Sequence, residues 1–182
     1  MKITEILREG ISPILFHATH VNSVITMLRS GSLELSPSPG EDHYYMSFAR
    51  SRTGEFTKYL ASLSRGDLEE EKFNPHQVYT VVEFDGVQLM NNLTGGSVNA
   101  FHDPDEPELT SDYDFMEDRI ISKKPRVALR AGYIREIHFV INADPRVEKV
   151  LKIANRMEQG GVTVSIYADT DKFMSWQPIE KI

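Results

Sequence analysis

The chain contains no cysteine. Disulfides, thiolate metal sites and cysteine nucleophiles are therefore excluded, and the lack of disulfides is compatible with a reducing compartment. No apolar run approaches the ~20 residues needed to cross a bilayer. Residues 1–10 are mixed and charged, with no apolar core of a signal peptide. A soluble, cytoplasmic protein without a membrane partner is expected. Positive charge is in short supply, with 20 Lys+Arg against 27 Asp+Glu and a net charge of −7. That balance argues against broad, nonspecific binding to a phosphate backbone, while a local basic patch stays open. Much of the acidity lies in 67–71 and 103–118. Glycine-rich phosphate loops, the Rossmann fingerprint, EF-hand loops and HExxH are also missing.

What is present is an ordinary globular composition, 40% hydrophobic and 26% charged over 182 residues. This is enough for one domain with a real core. The chain reads as a single domain over 1–182, with a core at about 14–141 and a helix–strand addition at 142–182. Ile14 to His17 reads as a strand. Val21, Val24, Ile25 and Leu28 recur at helical spacing, with His20 or Asn22 at the start and Gly31 at the end. Ser32 to Ser36 alternates like a half-buried strand and stops at Pro37-Ser38-Pro39-Gly40. Tyr44 to Arg50 is a third strand, and 55–64 is helical. Val78 to Phe84 is rich in β-branched and aromatic residues and is the strongest strand signal. Asp85-Gly86 reads as a turn, 91–111 as a long polar loop, Glu117–Ser122 and Ile134–Ile141 as strands. Residues 146–158 form an amphipathic helix ended by Gly160-Gly161, and Val162 to Tyr167 closes as a strand. Strands outnumber helices without regular βαβ alternation. The expected class is α+β, a mixed or antiparallel split sheet with flanking helices.

Three segments set polar residues into strand-like apolar surroundings: Phe16-His17-Ala18-Thr19, Tyr44-Tyr45-Met46-Ser47-Phe48-Ala49-Arg50 and Phe115-Met116-Glu117-Asp118-Arg119-Ile120. Such groups cost free energy unless they are paired or used, so the three suggest one cleft assembled from distant strands. Alternation puts His17 on the face of Leu15, and Tyr45, Ser47 and Ala49 on the face opposite Tyr44, Met46 and Phe48. A core histidine bonded to backbone is the competing reading of His17, and a locally satisfied hydroxyl that of Ser47. Nothing resembling a nucleophile elbow surrounds Ser47. His17 and His20 form an H-x-x-H pair, but a strand ends between them and no further ligand pair has metal spacing, so no metal is expected. Arg50 and Arg52 suit phosphate or carboxylate. Glu117, at a strand mouth after a long loop, suits orienting a sugar hydroxyl or stabilising an oxocarbenium-like transition state, against the plain reading of an exposed strand start. Asp103, Asp105, Glu106 and Glu108 fit a solvated acidic loop better than a cation site. Phe173 and Trp176 read as a lid over the core edge.

In order and spacing, these segments resemble the ADP-ribosyltransferase family, in its histidine–tyrosine–glutamate branch, over about 14–141. Phe16-His17-Ala18-Thr19 is similar to the first motif, with alanine in place of glycine. Ser30 to Ser36 has the form of the second element, Tyr44-Tyr45-Met46-Ser47 of the third, and Glu117 is the candidate glutamate. The resemblance implies NAD as substrate, cleaved at its nicotinamide–ribose bond by a transferase or glycohydrolase. His17 would bond a ribose hydroxyl or the adenosine side, with Thr19 in support and Arg50 among the NAD-binding residues. Tyr45 or Tyr44 would stack on nicotinamide, Ser47 would hold the site's geometry, and Glu117 would bond the ribose 2′-hydroxyl. The implied acceptor is a host protein or a nucleic acid. Phe115, two residues before Glu117, stands where a Glu or Gln often selects the acceptor. Ser-Phe-Ala-Arg and Glu-Asp-Arg-Ile resemble segments of a phage-encoded set, which implies host cytoplasm or virion. A catalytically silent binding or virion-associated protein with the same fold is the alternative. A different enzyme is a third: an RNA phosphotransferase on a related fold, drawing on His17, Arg50 and Arg52, or a metal-dependent hydrolase.

Overall fold

A computed structural model of the chain describes residues 11–52, 79–101, 117–141 and 147–181. Among them, β-branched and aromatic residues at alternating positions build a nine-stranded sheet. Its strands are β1 (Ile14–Thr19), β3 (Ser36–Pro37), β4 (Tyr44–Ala49), β5 (Tyr79–Asp85), β6 (Ser97–Phe101), β7 (Glu117–Ser122), β9 (Ile134–Val140), β10 (Thr163–Tyr167) and β11 (Glu180–Lys181). They run in the order β11-β10-β9-β5-β1-β4-β7-β6, with β3 beside β4. All pairs are antiparallel except β9 with β10, which are joined through helix α3 (Val147–Gln159). A separate two-stranded ladder pairs β2 (Ser32–Glu34) with β8 (Arg126–Ala128). The mixed α+β class expected from the sequence is the class observed.

One sheet face carries the main core. Leu15, Phe48, Val82, Phe84, Ile137, Phe139, Val164 and Ile166 are fully buried there. They pack with Val24 and Met27 of helix α1 (Val21–Ser30), Leu89 of helix α2 (Gly86–Asn92), Ala154 and Met157 of α3, and Leu33 and Val127 of the small ladder. Each large side chain removed from water contributes about 1.5–3 kcal/mol. The opposite face holds a smaller cluster of Phe16, Ala18, Ala49, Val81, Val140 and Tyr167, closed by Phe173 of helix α4 (Thr170–Met174). Among the described residues, no helix is long and apolar enough to cross a membrane.

Several local readings are corrected. Asp85-Gly86 is not a turn: Asp85 Oδ1 accepts the Gln88 amide at 2.8 Å and starts α2. Gly86 lies so close to the Ser12 backbone that an added Cβ would come within 1.9 Å of the Ser12 carbonyl oxygen, which accounts for glycine at the first helical position. The long polar loop is likewise partly ordered, because 86–92 is helical and 97–101 pairs with β7. His20 stands at the start of α1 without a side-chain cap bond, while Gly31 ends the helix at φ +61°, as its lack of a Cβ permits. The strand expected at 32–36 divides into β2 and β3. The helix expected at 55–64 and all of 102–116, including the acidic run 103–108 and Phe115, lie outside the described residues.

Candidate functional site

β1 is ladder-bonded to β5 over six register pairs, from Ile14↔Asp85 to Thr19↔Thr80. Its other neighbour, β4, shares a single pair, Phe16↔Ala49. Beyond that pair the two strands part, and the sheet is split. One side-chain bond bridges the opening. His17 Nδ1 lies 2.8 Å from the Ser47 carbonyl oxygen. A carbonyl only accepts, so Nδ1 carries the hydrogen and a neutral ring keeps Nε2 as an acceptor. Burial pushes the His17 pKa below its usual 6.5, against the pull of the Ser47 bond. The ring also packs on Phe48, with centroids 5.8 Å apart. Near neutral pH the side chain is an uncharged imidazole in a fixed orientation.

The split opens into a cleft of about 460 Å³. His17 and Thr19 of β1 form one wall, Tyr45 to Ser47 of β4 the other, and Asn22, Ser23 and Thr26 of α1 line the side. Glu34 and Ser36 close the end, and Met27 adds an apolar surface. Hydroxyls, an amide, an imidazole acceptor and one tyrosine ring suit a polyhydroxylated ligand carrying a flat aromatic group. The volume lies within the range of small-molecule sites.

The structure therefore brings together four residues expected at the site: His17, Thr19, Tyr45 and Ser47. Tyr44 lies elsewhere, packed against the main core on the face of Met46 and Phe48. Arg50, expected among the NAD-binding residues, does not line the cleft among the described residues. Its guanidinium is inaccessible to solvent and grips Asp118, with Nη2–Oδ1 at 2.6 Å and Nε–Oδ2 at 3.1 Å. Asp118 Oδ2 also accepts the Ser12 amide at 3.1 Å. This ion pair ties the entry to β1, the end of β4 and the start of β7 together below the split. Burial raises the Asp118 pKa above the usual carboxylate range, against the opposing pull of Arg50.

Glu117 is the register partner of Ala49, on the same sheet face as Tyr45 and Ser47. It is 7% exposed and does not border the cleft among the described residues. Its carboxylate is taken by Arg119, with Nε–Oε1 at 2.5 Å and Nη2–Oε2 at 3.2 Å. The same guanidinium lies 4.7 Å from the centroid of the Tyr45 ring. Arg119 thus links Glu117 to the cleft's aromatic lip.

A second polar cluster, missed in the sequence, lies across the sheet. Glu83, Glu136 and His138 each offer a ligand-type atom, all within 4.8 Å of one another. Its signal was period two: Glu136 and His138 share a strand face, and Glu136 stands opposite Glu83 in register. A bulge after Glu83 leaves Arg135 unpaired in the ladder, and its Nε reaches Glu83 Oε1 at 3.1 Å. Arg52 stands near both carboxylates. It donates to the Phe173 carbonyl and stacks on Trp176, with its Cζ 3.3 Å from the ring centroid. Two carboxylates thus face two of the protein's own cations. Among the described residues, neither Arg50 nor Arg52 lines the cleft.

A split, mostly antiparallel sheet with its cleft beside β1 gives the chain an ADP-ribosyltransferase-like α+β fold. The solved structure of Thermus sp. 2.9 DarT in complex with NAD+ is similar to it at a TM-score of 0.50 and 14% identity, covering 89% of this chain and 98% of that one. The same protein in complex with ADP-ribosylated ssDNA gives a TM-score of 0.49 at 13% identity, over 90% of this chain and 98% of that chain. No family model and no curated protein sequence matches the chain.

Proposed function

We propose that the chain binds NAD in the β1–β4 cleft and transfers its ADP-ribosyl group. The observation that carries this reading is the cleft itself: an oriented, neutral His17 beside Thr19 and Tyr45, at the opening of a sheet whose fold is similar to that of an NAD+ complex. His17 Nε2 accepts from a hydroxyl of the dinucleotide, Thr19 supports the same wall, and Tyr45 stacks on the nicotinamide ring. Ser47 fixes the geometry through its carbonyl bond to His17. As the bond between ribose C1′ and the nicotinamide nitrogen breaks, nicotinamide leaves with the electron pair and the ribose becomes an oxocarbenium ion. Glu117 opposes that charge and holds the 2′-hydroxyl. An acceptor oxygen or nitrogen, on a protein or a nucleic acid, then attacks C1′ and loses a proton; water in its place gives hydrolysis.

One observation favours a second reading, a catalytically silent NAD-binding protein: Glu117 is held by Arg119 and does not border the cleft. Incubation with NAD, with and without single-stranded DNA and a protein extract, separates the two. Free nicotinamide from the wild type, reduced about a hundredfold or more in Glu117→Gln, is the expected result. Binding without release in any mixture supports the silent protein. Release by Glu117→Gln at the wild-type rate removes Glu117 from the mechanism.

A further inference from the structure

Two contacts of Arg119 among the described residues bear on the site. Its guanidinium forks onto both carboxylate oxygens of Glu117 and lies against the ring of Tyr45. A planar cation stacked on the aromatic lip while donating two hydrogen bonds to the glutamate matches, group for group, the nicotinamide–ribose end of NAD. There the pyridinium is the planar cation and the ribose hydroxyls are the donors. Both cannot hold Tyr45 and Glu117 together. A guanidinium left beside Glu117 would also repel the positive charge that develops at C1′.

We propose that Arg119 is a displaceable latch, an internal cationic stand-in that closes the nicotinamide end of the site until NAD displaces it. The inference rests on the NAD reading and deepens it. Arg119 is a positioning residue, and its side chain keeps 22% of its surface exposed, so it can swing outward. The adenosine and diphosphate end of the ligand does not compete with it. Removing the latch therefore favours only ligands that carry nicotinamide.

Calorimetric titration of NAD and of ADP-ribose, which lacks nicotinamide, tests this on the full chain. Wild type, Arg119→Ala and Arg119→Gln are compared, the second variant preserving side-chain length should the first fail to fold. Loss of the partly exposed cation–π contact and ion pair predicts NAD binding about fivefold tighter in both variants, with ADP-ribose affinity unchanged. If ADP-ribose binds and NAD affinity is unchanged or weaker in the variants, the latch is overturned and the nucleotide site stands. If neither ligand binds any of the three proteins, the NAD reading itself is overturned, and the latch with it.

Discussion

His17 and His138 stand on strands separated only by β5, opposite Val82 and Val81 respectively, and so face opposite sides of one sheet. His17 is bonded to one backbone carbonyl and borders an open cleft. His138 is sealed: Nε2 lies 3.4 Å from Glu83, Nδ1 3.4 Å from the Tyr167 hydroxyl, and the rings of Phe173 and Trp176 cover it. His17 is half-buried and His138 fully buried, and the two also differ in the number of ring nitrogens the protein itself occupies. Among the described residues, one His17 ring nitrogen has no partner, whereas both of His138 lie near a polar group.

The split end depends on a buried ion pair, and breaking that pair is expected to have the largest effect. Asp118→Asn leaves the Arg50 guanidinium buried beside a neutral amide and should cost about 3–5 kcal/mol in urea unfolding. A cost under ~1 kcal/mol would mean that the split is held elsewhere.

Next in size is the sealed cluster. His138→Ala leaves Glu83, Glu136 and the Tyr167 hydroxyl without the ring and opens space under Phe173. About 2–4 kcal/mol of stability should be lost, with NAD affinity intact. A stable variant that no longer binds NAD would reverse the roles assigned to the two ends.

The smallest effect is in pH dependence. The folded pKa of His17 is lowered, so between that value and 6.5 the unfolded chain binds more protons than the folded one. Stability contributed by neutral His17 is complete above pH 6.5 and falls as the pH drops through that window, by at most about 1.4 kcal/mol per pH unit. Subtracting the urea-derived profile of His17→Gln from that of the wild type should isolate this slope. A flat difference would place the ring in solvent.

Much of the sheet was legible because its strands follow period two. The Glu117–Ser122 strand and the 21–30 helix were read at their observed limits, and the face assignments of Tyr45, Ser47 and Leu15 hold. Ladder partners that depend on distant pairing were not legible. Ser97–Phe101 has a weak pattern of its own and becomes a strand because β7 offers an edge. Arg126–Ala128 has no strand signal of its own, and it pairs with β2. At the site, residue types predicted the polarity of the cleft but not the pairing of its charges. Arg50 and Arg52 are two apart in the chain, yet one is held by Asp118 and the other by Phe173 and Trp176. Sequence spacing carries no information on which acid or ring will meet a given guanidinium.

The most direct test of the central claim resolves the two histidine rings by NMR while NAD is added. The His17 ring resonances are expected to shift in a saturable way while those of His138 stay in place. Saturable shifts at His138 with His17 unmoved would contradict it.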